Sequence, residues 1–177
     1  GDAYVVFPKD PQTFNPPPVD VVRGVRLEGR AVADVPLDAT LAVYGRLQNP
    51  GEDPECYSLG DLVLCPEASA GEGLGEIAFQ GGDQAPFALE GATLTQGGRQ
   101  GELWFGLRAK GALPPGLSEI RLEELKARVT VGLEPGGPNA PSAPPVEGRL
   151  RAFCARMGAT VPQRKALVLK ASRILLS

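Results

Sequence analysis

The sequence predicts an all-β fold, an antiparallel β-sandwich of about eight to ten strands with little helix, and three observations lead there. Apolar residues occupy every second position over long stretches, as in Val25-Arg-Leu-Glu-Gly-Arg-Ala-Val-Ala-Asp-Val35, the two-residue period of a strand with one face in a core and the other in water. The 23 Gly and 18 Pro of the 177 residues are spread between the apolar runs rather than pooled, as turns between many short strands require. Candidate strands recur at intervals of roughly ten residues, the spacing of sandwiches rather than of strand-helix-strand units.

Residues 1–18 hold a short apolar run, Ala3 to Phe7, followed by Pro-Lys-Asp-Pro-Gln-Thr-Phe-Asn-Pro-Pro-Pro. Proline donates no ladder hydrogen bond, so the expectation is an extended, exposed N-terminal arm. The body of the sandwich is then expected over 19–134. Val19 to Val35 supplies one long strand or two, Pro36 to Asp38 breaks it, and Thr40 to Leu47 returns as the second arm of a hairpin. After the acidic turn Asn49-Pro-Gly-Glu-Asp-Pro-Glu55 come candidate strands at Asp61 to Cys65, Gly75 to Phe79, Phe87 to Thr95 and Glu102 to Ala109. Leu117 to Leu133 carries both periods, because Leu122, Leu125 and Val129 fit a helical stripe while Val129, Val131 and Leu133 fit a strand face. A strand over Ala127 to Leu133, after a helical turn, is the favoured reading.

A Pro/Gly-rich crossover or linker occupies 135–146. Beyond it the charge changes sign. Residues 148–177 carry seven basic side chains and no acid, whereas residues 1–147 carry 11 basic against 21 acidic. Residues 147–177 are read as a basic C-terminal β-hairpin of the same sandwich, with an amphipathic helix over Lys165 to Leu176 as the alternative. The general style is immunoglobulin-like or jelly-roll, without the paired cysteines and tryptophan that mark true immunoglobulin domains.

Chemistry is bounded first by residue inventory. The chain has no histidine, so it cannot itself supply a Ser-His-Asp triad, a Cys-His pair or an imidazole-ligated zinc. Its glycines sit at strand breaks rather than in a phosphate-cradling or dinucleotide fingerprint. Its cysteines at 56, 65 and 154 lack Cys-x-x-Cys spacing. The chain is therefore read as a non-enzyme, with no cofactor. Cys56 and Cys65 flank a segment whose Leu59-Gly60-Asp61 can turn the chain, so a disulfide is expected in an oxidising compartment, worth about 2–3 kcal/mol. Two reduced thiols are the cytosolic alternative. Cys154 reads as a buried thiol.

Three binding surfaces remain as candidates. Glu52, Asp53 and Glu55 form an acidic loop whose oxygens suit calcium, although the spaced Asp-x-Asp-x-Asp-Gly pattern is absent and a solvated turn explains them too. Trp104 and Arg108 take the opposite face of their strand from Leu103, Phe105 and Leu107, and Tyr44 lies outward on its own, a set that suits a glycan or a partner protein if it is bare; packing of Trp104 and Tyr44 in a second layer or under a loop is the simpler reading. The basic tail (Arg149, Arg151, Arg156, Arg164, Lys165, Lys170, Arg173) suits an anionic polymer or a membrane surface, although it can equally satisfy itself on the acidic body of its own chain, and without interleaved aromatics it is a poor match for nucleic acid. No apolar run is long enough to cross a bilayer, and the chain starts at Gly1 without a signal-like segment, as a trimmed product would. The functional expectation is a non-catalytic exported or cell-envelope domain, secreted, periplasmic or envelope-anchored in the manner of a lipoprotein, with a binding or structural role. The alternatives are a calcium- or glycan-binding adhesion module and a tail that docks on anionic surfaces. Outward aromatics and free strand edges also admit a homodimer.

Overall fold

The computed structural model describes residues 3–13, 22–131 and 167–169. Among them are eleven strands, β1 (Tyr4–Pro8), β2 (Gln12–Thr13), β3 (Val22–Ala33), β4 (Asp38–Arg46), β5 (Tyr57–Leu59), β6 (Leu62–Pro66), β7 (Glu72–Gln80), β8 (Gln84–Glu90), β9 (Glu102–Lys110), β10 (Ile120–Val131) and β11 (Leu167–Leu169), one α-helix, α1 (Ala92–Gln100), and 3-10 turns at Pro50–Glu52 and Glu67–Ser69. The strands form two sheets. The larger has seven strands, in the order β5-β6-β1-β9-β4-β7 with β2 alongside β9, and the smaller is β11-β10-β3-β8. Every pairing is antiparallel. The architecture is the expected sandwich, not a closed barrel.

The alternation seen in the sequence becomes two inner faces. Leu41 and Val43 of β4, Ile77 and Phe79 of β7, and Leu103, Phe105 and Leu107 of β9 meet Val25, Leu27 and Ala31 of β3, Phe87 and Leu89 of β8, and Ile120 and Leu122 of β10 in one continuous core. Burying side chains of this size is worth about 1.5–3 kcal/mol each, and this core is what holds the sheets together.

The chain passes from one sheet to the other where a hairpin was expected. β3 and β4 belong to different sheets, and residues 34–37 form a corner. Asp34 fixes it by accepting from the Ser118 amide (3.1 Å), the Ser118 hydroxyl and the Glu119 amide, while Leu37 drops into the core. The Gly81–Asp83 turn is a second corner, taking β7 to β8 across the sheets. It is tied to the first by the Leu37 amide donating to Gly82 O and the Gly81 amide to Leu37 O.

The N-terminal residues depart from the expected arm. β1 lies between β6 and β9 in the middle of the larger sheet, with Val5 and Phe7 fully buried. The prolines do limit the strand, since pairing with β6 ends at Pro8. Phe87 to Thr95 also divides differently from expectation: the strand ends at Glu90 and α1 follows. Ala-Thr-Leu-Thr-Gln-Gly-Gly-Arg-Gln is a poor helix former, but tertiary contacts override that. Glu72 Oε1 accepts from the Thr93 amide at 2.8 Å, the Thr95 hydroxyl accepts from the Val25 amide at 3.0 Å, and Leu94 fills the core end. Gly97 lets the helix approach closely, because a Cβ there would lie 2.9 Å from that of Leu103.

The mixed period of 117–133 has a simple origin. β10 is a strand throughout, with no helical turn leading into it, but its register with β3 shifts between Glu123 and Lys126, and Glu124 adopts φ 54°. This bulge moves the core-facing set from Ile120 and Leu122 to Ala127 and Val129, and an alternation that changes parity resembles a helical stripe. Of the C-terminal segment, Leu167–Leu169 pairs with Ile120–Leu122 as a strand. The crossover at 135–146, Cys154 and the basic side chains of the tail lie outside the described residues.

Phe7 and Val5 pack over the bare backbone of Gly106, where a Cβ would come within 2.5 Å and 2.7 Å of them. Gly106→Ala is expected to destabilise the protein by about 1–3 kcal/mol through overpacking, read as a lower urea midpoint, and the double change with Phe7→Leu should recover part of the loss.

Candidate interaction surface on the larger sheet

The outer face of the larger sheet is covered by a second, smaller core. Trp104 and Gly106 of β9 lie on the side away from Leu103, Phe105 and Leu107, and there Trp104 joins Val5, Phe7, Val63, Cys65 and Ala70. The 47–56 and 67–71 loops close over this face. Trp104 is therefore outward with respect to the main core, as its parity predicts, yet only 6% exposed. Its indole Nε1 donates to Lys9 O at 3.1 Å, clamping the bend between β1 and β2.

At the centre of this face is Arg46, paired with Trp104 across β4 and β9 and itself only 7% exposed. A buried guanidinium needs its donors satisfied. Nη1 donates to Ser69 O at 2.6 Å and points at the sulfurs of Cys56 and Cys65, at 3.4 and 3.6 Å, while Nη2 pairs with Asp53 at 3.0 Å. The two cysteines lie at disulfide distance, with Cα atoms 4.4 Å apart. β5 and β6 put them there: the Gly60-Asp61 turn pairs Leu59 with Leu62 and Tyr57 with Leu64, so the next pair outward is Cys56 with Cys65, as the sequence spacing foretold.

Tyr44 and Arg108 lie beside this nest and share one partner. The Tyr44 hydroxyl donates to Glu67 Oε1 at 2.8 Å and Arg108 pairs with Glu67 Oε2 at 2.9 Å. Burial, and then the Glu67 carboxylate, raise the Tyr44 phenol above its ordinary value. The structure thus brings Trp104, Tyr44 and Arg108 onto one face, as the sequence suggested, but it engages each of them internally.

The acidic loop is also committed in part. Asp53 accepts from the Glu55 amide at 2.9 Å, and this bond, together with Arg46, holds its carboxyl below the usual range. Glu52 and Glu55 are exposed. Among the described residues, no three acidic or cysteine side chains form a group that could hold a metal ion.

On the smaller sheet the outer face is a lattice of charges: Arg26 with Glu28 and Glu90, Arg128 with Glu28, and Arg30 with Glu123 and Glu124. It borders an open groove of about 900 Å³ running past Pro86 and Lys126. Exposed pairs of this kind each contribute little to stability, and they explain the charged positions of the alternating pattern.

Two features of this region escaped the sequence reading. From Leu47 to Gly98 the chain contains nine acids and no Lys or Arg, a local bias hidden by the whole-chain balance of −3. Within that stretch Tyr57 and Leu59 are 50% and 49% exposed, on a strand too short for periodicity to reveal. Among the described residues no helix is long and apolar enough to cross a membrane. No protein-family profile matches the chain, and no curated protein and no solved structure shows significant similarity to it.

Arg46→Ala is expected to cost about 3 kcal/mol, as breaking a buried pair does, and Arg46→Lys should recover less than half of it, because an ammonium cannot reach all the acceptors of the planar fork. Urea denaturation of the three proteins measures this. Glu28, Asp34 and Asp53 all titrate below their ordinary values, held down chiefly by Arg26, by Ser118 and by the Glu55 amide respectively. The stability they contribute is fully present above the unfolded-state values, near pH 4, and is lost as pH falls through the lower folded-state values. Urea midpoints should therefore fall below about pH 4, and less steeply in Asp34→Asn.

Proposed function

We propose that this chain is a non-catalytic β-sandwich module of an oxidising, extracytoplasmic compartment, secreted, periplasmic or anchored at the envelope, whose work is to bind or scaffold other components. The observation that carries the reading is the Cys56–Cys65 pair. It is integrated into a buried site with Arg46, Asp53 and Ser69 O and braces the loops that cover the sheet, as disulfides of exported domains do. Residue inventory supports the non-catalytic part: without histidine the commonest general-base and nucleophile-activating arrangements are out of reach. Of the alternatives, glycan stacking finds little support, since Trp104 is 6% exposed and offers no free ring face. Docking of an anionic polymer rests on tail residues outside the described ones.

Counting thiols on unreduced, denatured protein from its natural compartment tests the reading. One thiol, from Cys154, is expected, rising to three after reduction, with reduction lowering the melting temperature by several degrees. Three thiols before reduction would remove the compartment assignment.

A further inference from the structure

β5 is the outermost strand on one side of the larger sheet, and among the described residues no strand pairs with its outer edge. Tyr57 and Leu59 are the exposed large hydrophobic residues among those described. They lie on one face, continued inward by Leu64 and Leu62 of β6 and by Val6 and Pro8 of β1. Along one row Val6 and Leu64 are buried, at 7% and 5%, and only Tyr57, at 50%, is exposed, so the exposed apolar surface lies at the edge itself. Hydrogen-bonded and open pairs alternate along an antiparallel ladder. With Cys56 and Cys65 as an open pair, Tyr57 and Leu59 bond to β6 and the Ser58 N–H and C=O point outward. Natural edges are commonly blunted by shortness, Lys, Pro or a bulge; β5 is short, three residues, and Tyr-Ser-Leu carries no Lys, Pro or bulge.

The hairpin is also held ready. The disulfide fixes its base and Arg46 grips both sulfurs, so little ordering entropy remains to oppose binding. The surrounding charge selects the partner. Glu52 and Glu55 are exposed, make no ion pair with a described residue and sit in a stretch with no Lys or Arg. Apposing β5 edges from two copies would bring like charges together, whereas a basic partner strand gains from them.

Resting on the reading of this chain as a binding module, we propose that the β5 edge accepts an added strand from another protein, an extended segment with apolar residues at alternate positions and Lys or Arg flanking them. The apolar positions cover Tyr57 and Leu59, the backbone pairs with Ser58, and the basic residues meet Glu52 and Glu55.

The test uses fluorescently labelled peptides of about nine residues in which Val alternates with Thr and the flanks are Lys, compared with the same peptide flanked by Glu and with one carrying Pro at its centre. Binding to the full chain is read by anisotropy. The Lys-flanked peptide should bind at least roughly tenfold tighter than either control and weaken as salt rises from about 50 to about 500 mM. Ser58→Pro and, independently, Leu59→Lys should each weaken it by roughly tenfold or more while leaving the far-ultraviolet circular dichroism unchanged; Leu59→Lys decides the matter if Ser58→Pro fails to fold. Equal binding of the Lys- and Glu-flanked peptides, no binding of either, or indifference to Leu59→Lys would overturn the proposal. Concentration-dependent dimerisation abolished by Leu59→Lys would overturn it in favour of a second copy at the same edge. A thiol count of one with no peptide binding would leave the extracytoplasmic reading standing and remove only this strand-addition site.

Discussion

The outer half of this molecule depends on the placement of one guanidinium. Arg46 is 7% exposed on a sheet face, where an unpaired charge would cost several kcal/mol. The chain answers that cost by wrapping the 47–71 excursion around it, bringing Asp53, Ser69 O and both sulfurs of the Cys56–Cys65 pair to its donors. The electrostatic requirement and the cysteine pair are coupled, because both sulfurs reach Arg46 only when β5 and β6 fold back on each other. Trp104 then loses contact with water against Val5, Phe7, Val63, Cys65 and Ala70, while Tyr44 and Arg108 stay half-buried beside it, held by Glu67.

The larger sheet is consequently covered on both faces over β1, β6 and β9, and this alters how the sequence is read. Strands with one solvated face show alternation, as β3 and β7 do. Strands covered on both sides approach a continuous apolar run, and Tyr4-Val-Val-Phe7, Leu62-Val-Leu-Cys65 and Leu103-Trp-Phe-Gly-Leu107 have that form. Gly106 belongs to the same arrangement, since the ring of Phe7 takes the volume that a side chain there would need. The smaller sheet takes the opposite course, with a cross-linked lattice of Arg and Glu on its outer face, and there the alternating pattern is plain.

The stretch from Leu47 to Gly98 carries acids in its loops and on β7 and β8, while the bases nearest in sequence, Arg46 and Arg99, stand at its ends. Several of these acids meet bases from outside it: Asp53 with Arg46, Glu67 with Arg108, Glu76 with Lys110 and Glu90 with Arg26. Glu52 and Glu55, just before the hairpin's base, are left exposed.

By itself the sequence determined the fold class, most of the strands and the pairing of Cys56 with Cys65, because these follow from a two-residue period, from turn residues and from a spacing of a few residues, all of them local. It also placed Trp104, Tyr44 and Arg108 on the side of the sheet away from the main core, since parity along a strand is local too. Only the tertiary structure decided what that side faces, because the covering loops arrive from 47–56 and 67–71 and their approach is set by a buried charge whose partners are distant in sequence. The same holds for the corner at 34–37, where β3 and β4 part into different sheets around Asp34 and Ser118, and for α1, where weak helix formers are held by Glu72 and Val25 from other strands. It holds as well for the N-terminal strand, whose prolines suggested an arm although Val5 and Phe7 find a place between β6 and β9. In each case a long-range contact outweighed the local preference, because burying apolar side chains and satisfying a charge are worth several kcal/mol against the roughly 1 kcal/mol per residue that propensity commands.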